Sequence, residues 1–265
     1  MRLRALVIAM TTVLALALAA PAALAEGQVV DAAGQRMWIS CTGTGSPTIV
    51  LVNGLTSSHS VWDKVVGPMA KKSRVCVTDR PGLGSSPKRT GSTVTDAGQH
   101  ATELEAALTA AGEHGPYLIV AHSYGGLIAR AFHAKYPKEV AGLMLVDAVY
   151  PGIQRTFLPS YKGPWFEGGT TIDMDASEQA TKGGPKYGDL PLVVITADDN
   201  DNILSWADTQ WNKQQAKAAK LSSNSKHWMA KGSGHTVQQD RPGYVLKGAN
   251  WLLKQSRAQQ AAARS

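Results

Sequence analysis

From Gln28 onward, short runs rich in β-branched and other apolar residues alternate with longer segments of helical period, and this alternation restricts the fold more than any other feature of the 265-residue chain. Strands are predicted at 28–30, 35–41, 48–52, 74–78, 117–121, 142–146, 192–196 and 226–230, and helices at 61–71, 94–111, 124–135, 202–221 and 243–255. Stretches such as Leu118-Ile-Val120 and Leu192-Val-Val-Ile195 are continuously apolar, as strands covered on both faces must be. The expected architecture is α/β, a mostly parallel eight-stranded sheet flanked by helices, in a single domain over 26–265.

The first 25 residues stand apart from this pattern. Arg2 and Arg4 precede a mostly apolar run over 5–20 that ends in Pro21 and the small-residue triplet Ala23-Leu-Ala25. That order is the signature of a secretory signal peptide cleaved before Glu26, and the run is short for a membrane span, so the reading is a secreted chain without a stable membrane anchor. Loss of Arg2 and Arg4 lowers the formal charge from +7 to +5. The remaining Lys and Arg are scattered, without a run of four, which reads as a solvated basic surface and not as a nucleic-acid interface. An oxidising compartment also changes how Cys41 and Cys76 are read: if the strands at 35–41 and 74–78 are neighbours they can be bridged, and otherwise they are two buried thiols.

Two segments escape the alternation. Residues 150–189 are rich in Gly, Pro and aromatics, a connection of the length usual for a lid or binding loop. The last ten residues after Gln255 lack large apolar side chains and are expected to fray.

The densest chemical signal is Tyr117-Leu-Ile-Val-Ala-His-Ser-Tyr-Gly-Gly126: an apolar strand, a serine with tiny residues at both second neighbours, then a helical pattern. A serine in so tight a strand-to-helix turn is exposed as a nucleophile, and bulk at Ala121 or Gly125 would collide with neighbouring backbone. The same turn can aim the Tyr124 N–H at a developing oxyanion, and Asn53-Gly-Leu55 after the strand at 48–52 can supply a second donor from Leu55. Of seven histidines, His235 alone sits in a small-residue loop between the last strand and the last helix, where an imidazole is free to act as base. His122 is read as structural, pointing away from the serine. No pair of histidines has ligand spacing, so no metal site is predicted, and Asp79-Arg-Pro-Gly-Leu-Gly lacks the lysine and hydroxyl of a phosphate loop. A carboxylate to orient the base should lie between Ser123 and His235. Asp147, after the strand at 142–146, and Asp198 and Asp199, after that at 192–196, all qualify, and spacing does not choose among them.

Taken together, Cys41-Thr-Gly-Thr-Gly-Ser-Pro, Asn53-Gly-Leu with Trp62, Asp79-Arg-Pro-Gly-Leu-Gly-Ser85, Ala121-His-Ser-Tyr-Gly-Gly126, Leu145-Val-Asp147 and Gly232-Ser-Gly-His235 resemble the α/β-hydrolase superfamily, in particular a secreted, esterase-like branch. The resemblance implies that the strands of Cys41 and Cys76 are neighbours and carry a disulfide, and that 150–189 is a lid inserted after the sixth strand. It also implies that the usual acid position after the seventh strand is Asn200 here, which turns the choice to Asp147. The chemistry implied is hydrolysis of small, partly apolar carboxylic esters through Ser123, His235 and Asp147, with Leu55 and Tyr124 as oxyanion donors, no cofactor and a monomeric enzyme. The same fold also hosts amidases, peptidases, lyases and non-catalytic ligand-binding relatives.

Overall fold

In the computed structural model, which describes residues 26–152, 165–198 and 205–263, all eight predicted strands are present. The first 25 residues, Asp199 and Asn200 lie outside the described residues. The strands of the main sheet are β1 (Gln28–Ala32), β2 (Gln35–Thr42), β3 (Ile49–Val52), β4 (Val75–Asp79), β6 (Tyr117–His122), β7 (Val140–Val146), β10 (Leu192–Ala197) and β11 (Ser225–Ala230). Their spatial order is β1-β2-β4-β3-β6-β7-β10-β11. β2 runs antiparallel to β1 and β4, and every other pair is parallel.

Continuous apolar strands are explained by what covers them. Ile119, Ala121, Leu143, Leu145, Leu192 and Val194 belong to one core with α2 (Ala97–Ala110) and α3 (Gly125–Lys135). Their alternating neighbours Leu118, Val120, Met144, Val146, Val193 and Ile195 belong to a second core with α1 (Asp63–Ala70), the short α6 (Val237–Asp240) and α7 (Pro242–Ala262). Period-two alternation thus divides apolar side chains between two faces instead of between core and water.

Antiparallel pairing of β2 with β4 sets Cys41 opposite Cys76, and the two form a disulfide with Cα atoms 4.1 Å apart. Asp96 caps α2 by accepting from Gly98 N and Gln99 N, but the predicted helix over 94–111 is shortened because Val94–Thr95 is a strand, β5.

Of the segment predicted as a lid over 150–189, residues 153–164 lie outside the described residues, and residues 165–180 form regular elements. β8 (Trp165–Glu167) and β9 (Thr170–Ile172) form a hairpin, and β9 pairs parallel with β5. Gly168 and Gly169 make the turn with φ of 57° and 82°, the left-handed pair that suits a two-residue hairpin. Helix α4 (Met174–Ala180) follows, capped by Asp173, with Ile172 and Met174 buried in the first core. The C-terminal end differs from its expected fraying: α7 runs to Ala262, because residues of high helix propensity such as Ala and Gln can extend a helix already anchored by Val245, Leu252 and Leu253.

Candidate active site

Parallel strands end together, and that edge is where the candidate residues meet. Ser123 directly follows β6, in a left-handed conformation with φ 51° that few non-glycine residues adopt. Its carbonyl accepts from Gly126 N and Val149 N, both at 2.9 Å, which locks the turn. A side chain on Gly125 would stand 2.6 Å from the Val52 carbonyl oxygen, and one on Gly126 would meet Ala148, so helix α3 enters closely against the ends of β3 and β7 only with glycines there.

Asp147 follows β7 in the same left-handed region, φ 40°, and is fully buried. Its Oδ1 accepts from Ala197 N at 3.0 Å and from Trp211 Nε1 at 2.7 Å, the indole coming from α5 (Ser205–Ala219). Its Oδ2 lies 2.6 Å from His235 Nδ1. A carboxylate only accepts, so Nδ1 carries the proton and the lone pair of Nε2 faces Ser123 Oγ, 2.9 Å away. Asp198 is exposed and accepts from Gly232 N at 3.4 Å, so the carboxylate paired with the imidazole is Asp147.

His122, expected to point away, lies instead against His235: the ring centroids are 4.7 Å apart and its Nε2 donates to the His235 carbonyl at 3.0 Å. The reason is geometric, since the β6 end and the loop after β11 converge at this edge. Burial, reinforced by the neighbouring His235, pushes the His122 imidazole down to about 3. It therefore stays neutral beside a base that must gain a proton.

The loop after β3 closes the opposite wall. Asn53 is buried, donates to the Thr78 carbonyl and accepts from Trp62 Nε1, both at 2.8 Å. A side chain on Gly54 would meet His122 Nδ1 and Ser123 Cβ, so the loop's backbone lies directly against the serine. Among the described residues, the N–H groups of Leu55 and Tyr124 have no acceptor. Between the walls is a cleft of about 340 Å³, lined by Leu55, Val61, His122, Ser123 and His235 and by the uncharged polar side chains of Ser57, Ser58, Ser60, Thr236 and Gln239.

Behind the cleft is a buried ion pair that the sequence reading did not single out. Arg80, in the glycine-rich segment that lacks the features of a phosphate loop, binds Glu167 of β8 through Nε to Oε1 at 2.6 Å and Nη2 to Oε2 at 2.5 Å. No local signal joins an arginine after β4 to a glutamate 87 residues on; Trp211, the partner of Asp147, was missed for the same reason.

A buried carboxylate, an imidazole and a strained serine at the carboxyl edge of an eight-stranded, mostly parallel sheet define a class. A family model described as "alpha/beta hydrolase fold" matches residues 47–174, and solved structures of that fold superpose on most of the chain. The chain has the α/β-hydrolase fold. It is similar to the Bacillus subtilis (strain 168) protein YqjL, 28% identical over 210 residues, which are 77% of this chain and 82% of YqjL. In structure it is similar to a thermophilic esterase from Thermogutta terrifontis (TM-score 0.63, 18% identity, 88% of this chain and 99% of the other). It is likewise similar to the haloalkane dehalogenase DatA from Agrobacterium tumefaciens C58 (TM-score 0.63, 14% identity, 87% and 97%). At these identities the structural likenesses establish the fold alone.

Proposed function

We propose that this protein is a secreted serine hydrolase that cleaves small carboxylic esters through an acyl-enzyme on Ser123. The observation that carries the reading is the relay of Asp147 Oδ2, His235 and Ser123 Oγ, joined by contacts of 2.6 Å and 2.9 Å. His235 Nε2 takes the Ser123 proton as Oγ attacks the ester carbonyl, and Asp147 stabilises the imidazolium that forms. The Leu55 and Tyr124 N–H groups receive the oxyanion. When the tetrahedral intermediate collapses, the C–O bond to the alcohol breaks and His235 returns the proton to the leaving oxygen. Water then attacks the acyl group, again with His235 as base, and releases the acid and free Ser123.

A cleft lined by hydroxyls, one amide and two aliphatic side chains supports a neutral substrate with hydrogen-bonding groups beside a smaller apolar portion. Of the aromatics assigned to the lid, Tyr187 stacks on His133 at 4.4 Å and Trp165 packs on the first core, so both rings serve packing. Phe157 and Tyr161 lie outside the described residues. Export is supported by the disulfide.

The test is fluorophosphonate labelling of the mature protein, with the adduct mapped by mass spectrometry. Labelling is expected on Ser123 alone, absent in Ser123→Ala, with ester turnover in Asp147→Asn slowed by about 10³- to 10⁴-fold. A folded wild-type protein that takes no label would turn the reading to a non-catalytic ligand-binding relative.

A further inference from the structure

Arg80 and Glu167 are almost wholly buried, and their contacts converge on three residues of the loop after β3, Asn53, Gly54 and Thr56. Besides its fork to Glu167, Arg80 donates through Nη1 to the Asn53 carbonyl at 2.9 Å and through Nη2 to the Gly54 carbonyl at 2.6 Å. Glu167 Oε2 also accepts from Thr56 N at 2.8 Å. Thr56 has φ 59°, a conformation that a β-branched residue holds only when its surroundings impose it. The guanidinium also stands 5.6 Å from the ring centroid of Tyr124.

Peptide geometry gives these contacts a direction. The Gly54–Leu55 bond is trans, so the Gly54 carbonyl and the Leu55 N–H lie in one plane and point opposite ways. A cation held on the carbonyl from behind therefore turns the N–H forward, towards the cleft that Leu55 shares with Ser123. It also draws electron density from the amide, which strengthens the N–H as a donor.

We propose that Arg80 and Glu167 are positioning residues that preset the oxyanion hole, Arg80 orienting the Leu55 N–H through the Gly54 carbonyl and Glu167 fixing Arg80 and the Thr56 N–H. This rests on the serine-hydrolase reading above. Glu167 comes from the β8–β9 hairpin, whose turn packs backbone to backbone against the loop after β4: a side chain on Gly82 would collide with the Gly168 carbonyl. Seating of that hairpin is thus a condition for a competent oxyanion hole, although the hairpin contributes no side chain to the relay.

The experiment uses Glu167→Gln and Arg80→Lys in the full mature protein, with active sites counted by fluorophosphonate titration. Per titrated site, kcat is expected to fall about 10- to 100-fold with KM within about twofold, because loss of one oxyanion donor costs about 10²- to 10³-fold and a misaligned donor loses part of that. The inhibition constant of a trifluoromethyl ketone, which forms the tetrahedral adduct, is expected to rise by the same factor. A purely structural role would lower the number of titratable sites and leave kcat per site and the inhibition constant unchanged, which overturns the proposal. Backbone ¹⁵N relaxation of the wild type needs no variant: order parameters near about 0.85 at Leu55 and Thr56 are expected, and values below about 0.6 overturn it. A wild type that neither labels nor turns over ester sinks the hydrolase reading itself, whereas a labelled wild type with unaltered variants sinks only this one.

Discussion

Ser123 and Asp147 share an unusual backbone: both take positive φ immediately after neighbouring parallel strands. Each such residue costs on the order of 1 kcal/mol or more, and the surrounding hydrogen bonds at Ser123 O and Asp147 N hold it in place. Gly125 is where this arrangement tolerates least. In Gly125→Ala the new methyl meets the Val52 and Asn53 carbonyl oxygens, backbone atoms that cannot rotate away. A stability loss of about 1–3 kcal/mol is expected in urea unfolding, with reduced ester turnover because Ser123 shifts with the turn. This steric demand was legible in the chain itself, since a serine between Ala121 and Gly125 after an apolar strand concerns only consecutive residues. Asp147 was legible only in part: three carboxylates followed suitable strands, and the resemblance, not the spacing, singled one out. The orientation of His122 was misread because local geometry alone does not reveal the loop that packs onto it.

At the scale of elements, strand identity was readable and strand ends nearly so, since apolar runs bounded by turn residues leave little choice. The β8–β9 hairpin was not recognised although Gly168-Gly169 between short β-prone runs is a hairpin signal; strands of three residues have too little pattern to stand out. The disulfide joins β2 to β4 across 35 residues, and a loop of that size is worth about 4 kcal/mol in the chain-entropy account. Cys41→Ser with Cys76→Ser is expected to lower stability by about 2–4 kcal/mol and Tm by roughly 5–15 °C. Thermal melts of the wild type with and without reductant check this, and an unchanged Tm in the double variant would show that pairing of the strands suffices.

For the whole molecule, buried imidazoles tie stability to pH. His122 is held down to about 3 and His100 well below the ordinary imidazole range, both first by burial, then by His235 at the one and by Arg80 and Arg89 at the other. Below the unfolded value of about 6.5 the unfolded chain binds protons that the folded one refuses. Their contribution is therefore complete above pH 6.5 and is lost as pH falls towards 3. His122 is expected to cost about 2 kcal/mol between pH 7 and pH 5, measured as urea unfolding at both values, with a shallower dependence in His122→Gln. What the sequence by itself determined was whatever depends on neighbours in the chain: the α/β alternation, the sharp turn at Ser123, the free imidazole loop at His235. Only the tertiary structure decided which carboxylate meets His235, that His122 lies beside it, and that Arg80 reaches Glu167. Those contacts join residues brought together by strand order, and strand order is set by the packing of helices on both faces of the sheet rather than by any local preference.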